Sequence, residues 1–191
     1  EEIGMTNCPF QEIEEVDDIE TVNNFDEIKE SAGGYEEAME VVRYRSRDHA
    51  RTPMQWNNKQ NAGFTTGEPW LKVNPNHTEI NVESALEDED SVFHYYQRLI
   101  ELRDEYPVFV YGKYELILDD DQEIYAYTRT LEDEQLLVVL NFFDDEPEFN
   151  LPSEIEFKEK ELLISNYDVD EAASIEHFQL RPYEARVYRL K

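Results

Sequence analysis

The chain has 191 residues, and its apolar fraction of 40% with an aromatic fraction of 13% is enough to build a packed core, which excludes a disordered chain. Acidic side chains number 46 against 17 basic ones, so the net charge of −29 repels phosphate backbones and anionic lipids, and we expect no nucleic acid and no membrane among its partners. No apolar run approaches the roughly 20 residues of a membrane helix.

The acidic residues are spread along the whole chain rather than confined to a tail. Two interpretations stay open: a surface adapted to high salt, where counterions screen the self-repulsion, or an ordinary acidic cytosolic protein. The single Cys8 rules out an intrachain disulfide and fits a reducing compartment, so we expect a cytoplasmic protein.

Two helices are predicted near the start of the chain. Apolar side chains recur at helical spacing over residues 18–30, and the SAGG segment at 31–34 is expected to end that helix. A second helical pattern begins at Tyr35, and Pro53 is expected to stop it because proline cannot continue a helix. The end of this helix and the turn beyond it hold four arginines, Arg43, Arg45, Arg47 and Arg51.

This arginine cluster permits two interpretations. A guanidinium offers five donors in a rigid plane, which suits a carboxylate or the neighbouring hydroxyls of a sugar. Helix capping and ion pairs with the many carboxylates explain the same residues without a ligand. Spacing alone favours the second interpretation.

A long segment without periodicity follows, from Thr52 to Asp90, rich in Pro, Asn and Thr. Loops of this length inside a compact domain are more often functional than structural. We expect its aromatic residues Trp56, Phe64 and Trp70 to keep the segment packed.

Regular structure returns with a helix over residues 91–106, and the period then changes to two. Acidic or proline-containing turns separate the short runs KYELILD, EIYAYTRT, QLLVVLNFF, EFNL, ELLISNY, IEHFQL and EARVYRL. Their number and regular spacing predict an antiparallel sandwich, and we place a domain boundary within residues 107–112.

The residues alone identify no catalytic centre. The four histidines have no metal-ligand spacing with Cys8 or with each other, so we expect no metal site. The sequence holds no glycine-rich phosphate loop and no nucleophile elbow, and we expect no cofactor. Carboxylates are too abundant for a general acid and base to be chosen by counting.

Six segments carry a resemblance to a known family. They are EEIGMTN at 1–7, DIETVNNF at 18–25, SRDHARTPMQW at 46–56, NAGFTTGEPWLKVNPNHTEINVESA at 61–85, FHYYQRLIELRDEYPVFVYG at 93–112 and LRPYEARVYRL at 180–190. Together they resemble the C-terminal third of the oligo-1,6-glucosidases of glycoside hydrolase family 13, which are close to trehalose-6-phosphate hydrolases and other α-glucosidases. The resemblance covers essentially the whole chain.

The resemblance implies a parent enzyme with a (β/α)8 barrel followed by a β-sandwich, which hydrolyses α-glucosidic bonds at the non-reducing end with retention. A whole barrel needs about 250 residues. We therefore expect an α+β fold for this segment, which is too short to hold a whole barrel. In it, residues 1–108 form the C-terminal end of an incomplete barrel with the long insert after strand eight, and residues 109–191 form an antiparallel β-sandwich domain.

The resemblance also implies where the chemistry lies. In the family the aspartate nucleophile, the glutamate acid/base and the transition-state-stabilising aspartate come from barrel strands that would lie before residue 1, so we expect no catalytic residue in this chain. Arg47 matches the arginine that reaches the glucose in the deepest subsite, and Glu20 matches a glutamate that contacts the next sugar. Trp56 and Trp70 could line the same sugar site, although large aromatics in a proline-rich loop are more often anchors.

Three hypotheses stay open. The first makes the chain an α-glucosidase fragment that shapes the pocket of an oligosaccharide-hydrolysing parent and is inactive alone, with a trehalose-6-phosphate hydrolase as the alternative parent. The second makes it a non-catalytic carbohydrate-binding or structural module. In the third, the missing N-terminal barrel portion is a separate chain, so that the barrel is completed in trans rather than in cis.

Overall fold

Two structural units make up the chain in the computed structural model, which describes residues 2–191. They are Glu1–His94 and Tyr95–Lys191. Glu1, which opens the EEIGMTN motif, lies outside the described residues. Helices and long ordered loops form the first unit, and strands dominate the second.

Helix α1 spans Ile19–Ala32, as the sequence predicts, because both of its ends are capped. The Asp18 carboxylate accepts from the backbone N–H of Thr21 at 3.3 Å, and Gly33 adopts a left-handed φ of 98° that ends the helix. Only part of the predicted apolar stripe is covered. Phe25 is buried, whereas Ile19 is 74% exposed, because helix α2 covers the side that carries Phe25.

Helix α2 spans Tyr35–Arg45, so the prediction that Pro53 stops it is wrong. The cause is Ser46, whose backbone turns to a ψ of 133° and whose hydroxyl accepts from the N–H of Asp48. This cap starts a separate 3-10 turn, Arg47–Arg51. The four arginines therefore lie at the end of the helix and in the turn beyond it, as predicted. Both helices and the segment before them bury one apolar core, made of Cys8, Phe10, Val16, Phe25, Ala38, Met39 and Val42.

The segment from Thr52 to Asp90 is irregular but ordered. It contains two further 3-10 turns, Gln60–Gly63 and Pro75–Thr78, and the short helix α3, Val82–Glu87. Backbone hydrogen bonds between its distant parts close it on itself, as where the N–H of residue 82 donates to the carbonyl of residue 55 at 2.9 Å. The loop is thus a folded part of the first unit.

Buried amide side chains are a main part of what holds this segment together. The side chains of Gln55, Asn74 and Asn81 are buried and donate to backbone carbonyls. The aromatic residues contribute in part: Phe64 packs edge to face on Trp70 with 4.9 Å between ring centroids, whereas Trp56 and Trp70 remain 50% and 63% exposed. Burial of an amide is costly without hydrogen bonds, and the N–H₂ groups of these side chains replace part of the ladder that an irregular backbone lacks. Within the described residues the buried Oε1 of Gln55 has no partner.

All seven predicted strands are present in the second unit. Helices α4, Val92–Glu105, and α5, Val108–Tyr111, precede β1 Lys113–Ile117, β2 Ile124–Leu131, β3 Glu134–Asn141, β4 Glu148–Asn150, β5 Lys160–Ser165, β6 His177–Gln179 and β7 Ala185–Leu190. Five strands form one antiparallel sheet in the order β1-β2-β3-β7-β5, and β4 pairs with β6 in a second. The predicted sandwich is confirmed.

The large sheet is apolar on both faces. Leu137 belongs to a buried cluster that also takes Phe149 of β4, so this cluster fills the space between the sheets. Val138, the next residue of β3, packs on the opposite face with Leu102 of α4. Because side chains alternate along a strand, burial of both faces explains why β3 reads as a continuous apolar run.

Candidate functional site

Arg47 and Glu20, the two residues predicted to contact sugar, form an ion pair. Arg47 is the first residue of the 3-10 turn after α2, and Glu20 lies in the first turn of α1. The pair joins Arg47 Nη2 to Glu20 Oε2, and both side chains remain largely exposed. The fold therefore brings together two side chains that are 27 positions apart in the sequence.

Asp18 extends this pair into the protein. Its buried carboxylate has Oδ1 at 3.4 Å from Arg47 Nε and at 3.8 Å from Arg51 Nη1. The hydroxyl of Thr21 donates to Oδ2 at 2.7 Å. The Thr21 hydroxyl, its backbone N–H and the charges of Arg47 and Arg51 together hold the pKa of Asp18 below its ordinary value against the effect of burial, so Asp18 is ionised near neutral pH.

Asp48 connects the two segments that carry these residues. Its side chain is fully buried, and Oδ2 accepts from the backbone N–H groups of Asp17 at 2.7 Å and Asp18 at 2.9 Å. Its Oδ1 accepts from Arg51 Nη1 at 3.1 Å. The start of α1 and the turn Arg47–Arg51 are therefore joined through one carboxylate.

An open groove of about 590 Å³ runs between α1 and α2 beside the ion pair. Carboxylates, guanidinium groups and aliphatic side chains alternate around it. Its lining includes Asp18, Glu20, Glu27, Ile28, Val41, Arg45 and Arg47. Closely spaced donors and acceptors beside short apolar surfaces suit a ligand that carries many hydroxyl groups and few charges.

Two other arginines are held as the ion-pair interpretation predicts. Arg43 Nη2 lies 2.6 Å from Glu36 Oε1, and Arg51 is bound to Asp48 as described. The backbone of Arg51 has a further role, because its carbonyl accepts from the indole N–H of Trp70 at 2.9 Å. This bond fixes the long irregular segment to the turn that carries Arg47.

The histidine of the turn is part of the core packing. His49 Nδ1 accepts from the backbone N–H of Cys8 at 3.1 Å, and its ring stacks on Phe10 with 5.4 Å between centroids. Within residues 2–191, no cluster of three or more His, Cys, Asp or Glu side chains could hold a metal ion. None of the helices described for those residues is both long enough and apolar enough to cross a membrane.

Reasoning from the sequence missed Asp18 and Asp48. The signal available for Asp18 is its position directly before the first helical residue, where an N-cap is expected. No signal marks Asp48, since the burial of one acidic residue among 46 is invisible in the sequence.

Two family models match consecutive parts of the chain. The catalytic domain of α-amylases matches residues 1–112, and the C-terminal domain of maltogenic amylases matches residues 114–187. The junction between the matches falls where the helices end and strand β1 begins.

The relatives are similar along the whole chain. An oligo-1,6-glucosidase of Parageobacillus thermoglucosidasius is 57% identical over 100% of the chain, and one of Bacillus cereus is 52% identical over the same share. The crystal structure of Bacillus licheniformis trehalose-6-phosphate hydrolase superposes with a TM-score of 0.92 at 46% identity and covers 99% of the chain. The chain spans 34% of the length of each of these relatives.

Proposed function

The chain belongs to the α-amylase family, and on that premise we propose that it is the C-terminal part of a retaining α-glucosidase of the oligo-1,6-glucosidase type, which hydrolyses α-glucosidic bonds of short oligosaccharides. Its own task is to form one wall of the substrate pocket. The observation that carries the proposal is the meeting of Arg47 and Glu20 at a groove lined with donors and acceptors.

Arg47 and Glu20 are the residues we assign to sugar contact. The guanidinium is charged at every physiological pH and donates in a fixed plane, which suits two neighbouring hydroxyls of one glucose unit. The carboxylate of Glu20 accepts from hydroxyls and donates to none. Both side chains are more than half exposed, so a sugar can replace their mutual contact without opening the core.

The catalytic carboxylates belong to the rest of the parent enzyme in this proposal. Retaining glycosidases use two carboxyl groups about 5–5.5 Å apart, and a whole (β/α)8 barrel takes about 250 residues. The catalytic-domain match within this chain covers 112 residues. We propose that the remaining barrel, joined in cis or bound in trans, supplies nucleophile and acid, and that the chain alone is inactive.

The domain assignment stays part of the proposal. We assign residues 1–108 to the end of the barrel with its insert and residues 109–191 to the sandwich domain. The two family matches, which meet between residues 112 and 114, support a division close to this position.

An uncharged oligosaccharide is favoured over a phosphorylated sugar. Three carboxylates line the groove, those of Asp18, Glu20 and Glu27, against the two guanidinium groups of Arg45 and Arg47, and the excess of negative charge disfavours a phosphate group. Identity to the oligo-1,6-glucosidases, at 57% and 52%, also exceeds the 46% found with the trehalose-6-phosphate hydrolase. We place this reaction in the cytoplasm on the single buried Cys8, and we assign no nucleic acid or membrane partner to so acidic a chain.

A hybrid enzyme tests the proposal directly. The corresponding third of the Parageobacillus oligo-1,6-glucosidase is replaced by this chain, and kcat/KM is measured on isomaltose, maltose and trehalose 6-phosphate, beside the isolated 191-residue chain. We expect the hybrid to hydrolyse isomaltose and the isolated chain to hydrolyse nothing. Turnover of a nitrophenyl glucoside by the isolated chain above a mock purification, or a folded hybrid without activity, would contradict the proposal. Affinity of the isolated chain for isomaltose would favour a binding module instead.

A further inference from the structure

We propose that Asp48 is a positioning residue for sugar recognition: its buried carboxylate fixes the start of α1 against the turn Arg47–Arg51 and so sets where Glu20 and Arg47 meet. The inference rests on the proposed function, because it concerns the same sugar-contacting pair. Asp48 itself faces the backbone and Arg51 and is fully buried, so it does not touch the substrate.

Asp48 uses both carboxylate oxygens to connect the two segments. One oxygen accepts two consecutive backbone N–H groups, those of Asp17 and Asp18, and the other accepts from Arg51. Hydrogen bonds to an ionised acceptor are shorter and stronger than neutral ones, and two donors on one oxygen leave the acceptor little freedom to move. The segment before α1 is therefore fixed in both position and direction.

The connection to the sugar-contacting pair is short. Arg47 directly precedes Asp48 in the chain, and Glu20 follows Asp18 by two residues in the first turn of a capped helix. A shift of the Asp17 and Asp18 backbone thus moves Glu20 with it, while Arg47 stays with the 3-10 turn. Misplacement of a substrate-contacting group by about 1 Å can cost roughly 100-fold in rate.

A chain of ion pairs leads from Asp48 to the groove. Arg51 joins Asp48 to Asp18, and Asp18 joins Arg47, whose other contact is the exposed Glu20. Asp48 and Asp18 are buried, whereas Arg47 and Glu20 at the end of the network are more than half exposed and line the groove. A carboxylate needed only for folding would require no such continuation to the surface.

The test substitutes Asp48→Asn in the hybrid enzyme. The asparagine keeps one oxygen for the two backbone N–H groups but turns an amide N–H₂ towards Arg51, so the connection is weakened without a change of size. We expect kcat/KM on isomaltose to fall by about 10- to 100-fold, with the circular dichroism spectrum unchanged. Activity within about twofold of the unsubstituted hybrid would overturn the inference.

A double-mutant cycle separates positioning from a merely structural role. If Asp48 acts through Arg47 and Glu20, then Asp48→Asn added to a hybrid that already carries Arg47→Gln and Glu20→Gln lowers kcat/KM by less than about twofold further. A purely structural residue would give the full loss again in that background, and this outcome would overturn the inference. An inactive unsubstituted hybrid would instead count against the proposed function itself.

Glu184→Gln is the matched control. Glu184 is also a fully buried carboxylate that binds an arginine three positions away, but it lies in the second unit. We expect this variant to lose thermal stability and to keep kcat/KM within about twofold. If Asp48→Asn does not fold, Arg51→Met removes the same contact from the side of the half-exposed arginine. We then expect Arg51→Met to lower kcat/KM little further in the background of Arg47→Gln and Glu20→Gln. Additive losses of kcat/KM in that background would overturn the inference.

Discussion

The two units of the molecule each bury one carboxylate completely, Asp48 in the first and Glu184 in the second. Asp48 accepts from two backbone N–H groups and Glu184 from one, and each pairs with an arginine three positions away, Arg51 in one case and Arg181 in the other. The local chemistry is nearly the same.

The difference lies in what covers the arginines. The guanidinium of Arg181 lies 4.3 Å from the ring centroid of Tyr167, and that of Arg186, the second partner of Glu184, lies 4.2 Å from Phe178. Aromatic rings thus cover one face of each guanidinium group, although Arg181 remains 40% exposed. The Asp48 network instead continues to exposed side chains at a groove. Its last members, Arg47 and Glu20, are more than half exposed and able to exchange partners with a ligand, whereas Glu184 and Arg186 are buried.

Among the changes considered, Glu184→Ala is expected to have the largest effect on the free energy of unfolding. The substitution leaves Arg186 buried without its partner, which typically costs about 3–5 kcal/mol. Urea unfolding of the 191-residue chain measures the loss. A loss below about 1 kcal/mol would mean that the Glu184 network is not the stabilising one.

The complementary change is Arg47→Ala in the hybrid. We expect kcat/KM on isomaltose to fall by about 100- to 1,000-fold, because under the proposed function a charged donor to the substrate is lost. The free energy of unfolding should change by less than about 1 kcal/mol, because Arg47 is mostly exposed and the buried Asp18 keeps Arg51 as a partner. Steady-state kinetics and urea unfolding of one preparation give both values. Equal damage to stability would contradict the separation of roles.

Acid is expected to lower the stability that the Glu184 network contributes. Burial alone would raise the pKa of Glu184, but hydrogen bonds from Arg181 and Arg186 outweigh it and hold the pKa below the ordinary 4.5. A group whose folded-state pKa is depressed adds stability above its unfolded pKa and loses that stability as the pH falls through the folded one. We therefore expect stability to decline below about pH 4.5, with a smaller slope in Glu184→Gln. If stability falls equally steeply with pH in the natural chain and in Glu184→Gln, other carboxylates cause the acid sensitivity.

Salt is expected to have the smallest effect and to distinguish exposed charges from buried ones. The net charge of −29 repels itself at the surface, and raising the salt to about 1 M shortens the screening length to roughly 3 Å. The melting temperature should rise by a few degrees in both the natural chain and Glu184→Gln, since the buried network is screened little. Stability that is unchanged or lower in molar salt would contradict a surface adapted to high salt.

Much of this arrangement is predictable from the sequence, for identifiable reasons. Strands β1 to β7 follow from short β-branched or aromatic runs separated by turns, and α1 from its apolar spacing and the glycines that end it. Arg47 and Glu20 follow from motifs whose residues lie close together in the chain. What depends on distant contacts does not follow. The proposed role of Asp48 is such a case, because its backbone partners lie about 30 positions away. The end of α2 escapes sequence reasoning for another reason: a local side-chain bond at Ser46 ends the helix before Pro53 is reached.

The tryptophans show the same limit. A large aromatic residue in a proline-rich loop is usually an anchor, yet Trp70 is fixed through its indole N–H while its ring stays exposed. The loop is held also by buried Gln55, Asn74 and Asn81, which composition does not reveal. Composition marks asparagine as a loop residue, but it does not distinguish an asparagine that faces water from one that replaces a missing backbone ladder.

The buried Cys8 is a probe for the opening of the first unit. Its thiol lies in the core with Phe10 and Met39, and burial raises its pKa to about 11, so an alkylating reagent at neutral pH finds neither access nor thiolate. No other cysteine occurs in the sequence. The rate of thiol labelling therefore measures the opening of the first unit alone, because the second unit has no thiol to react.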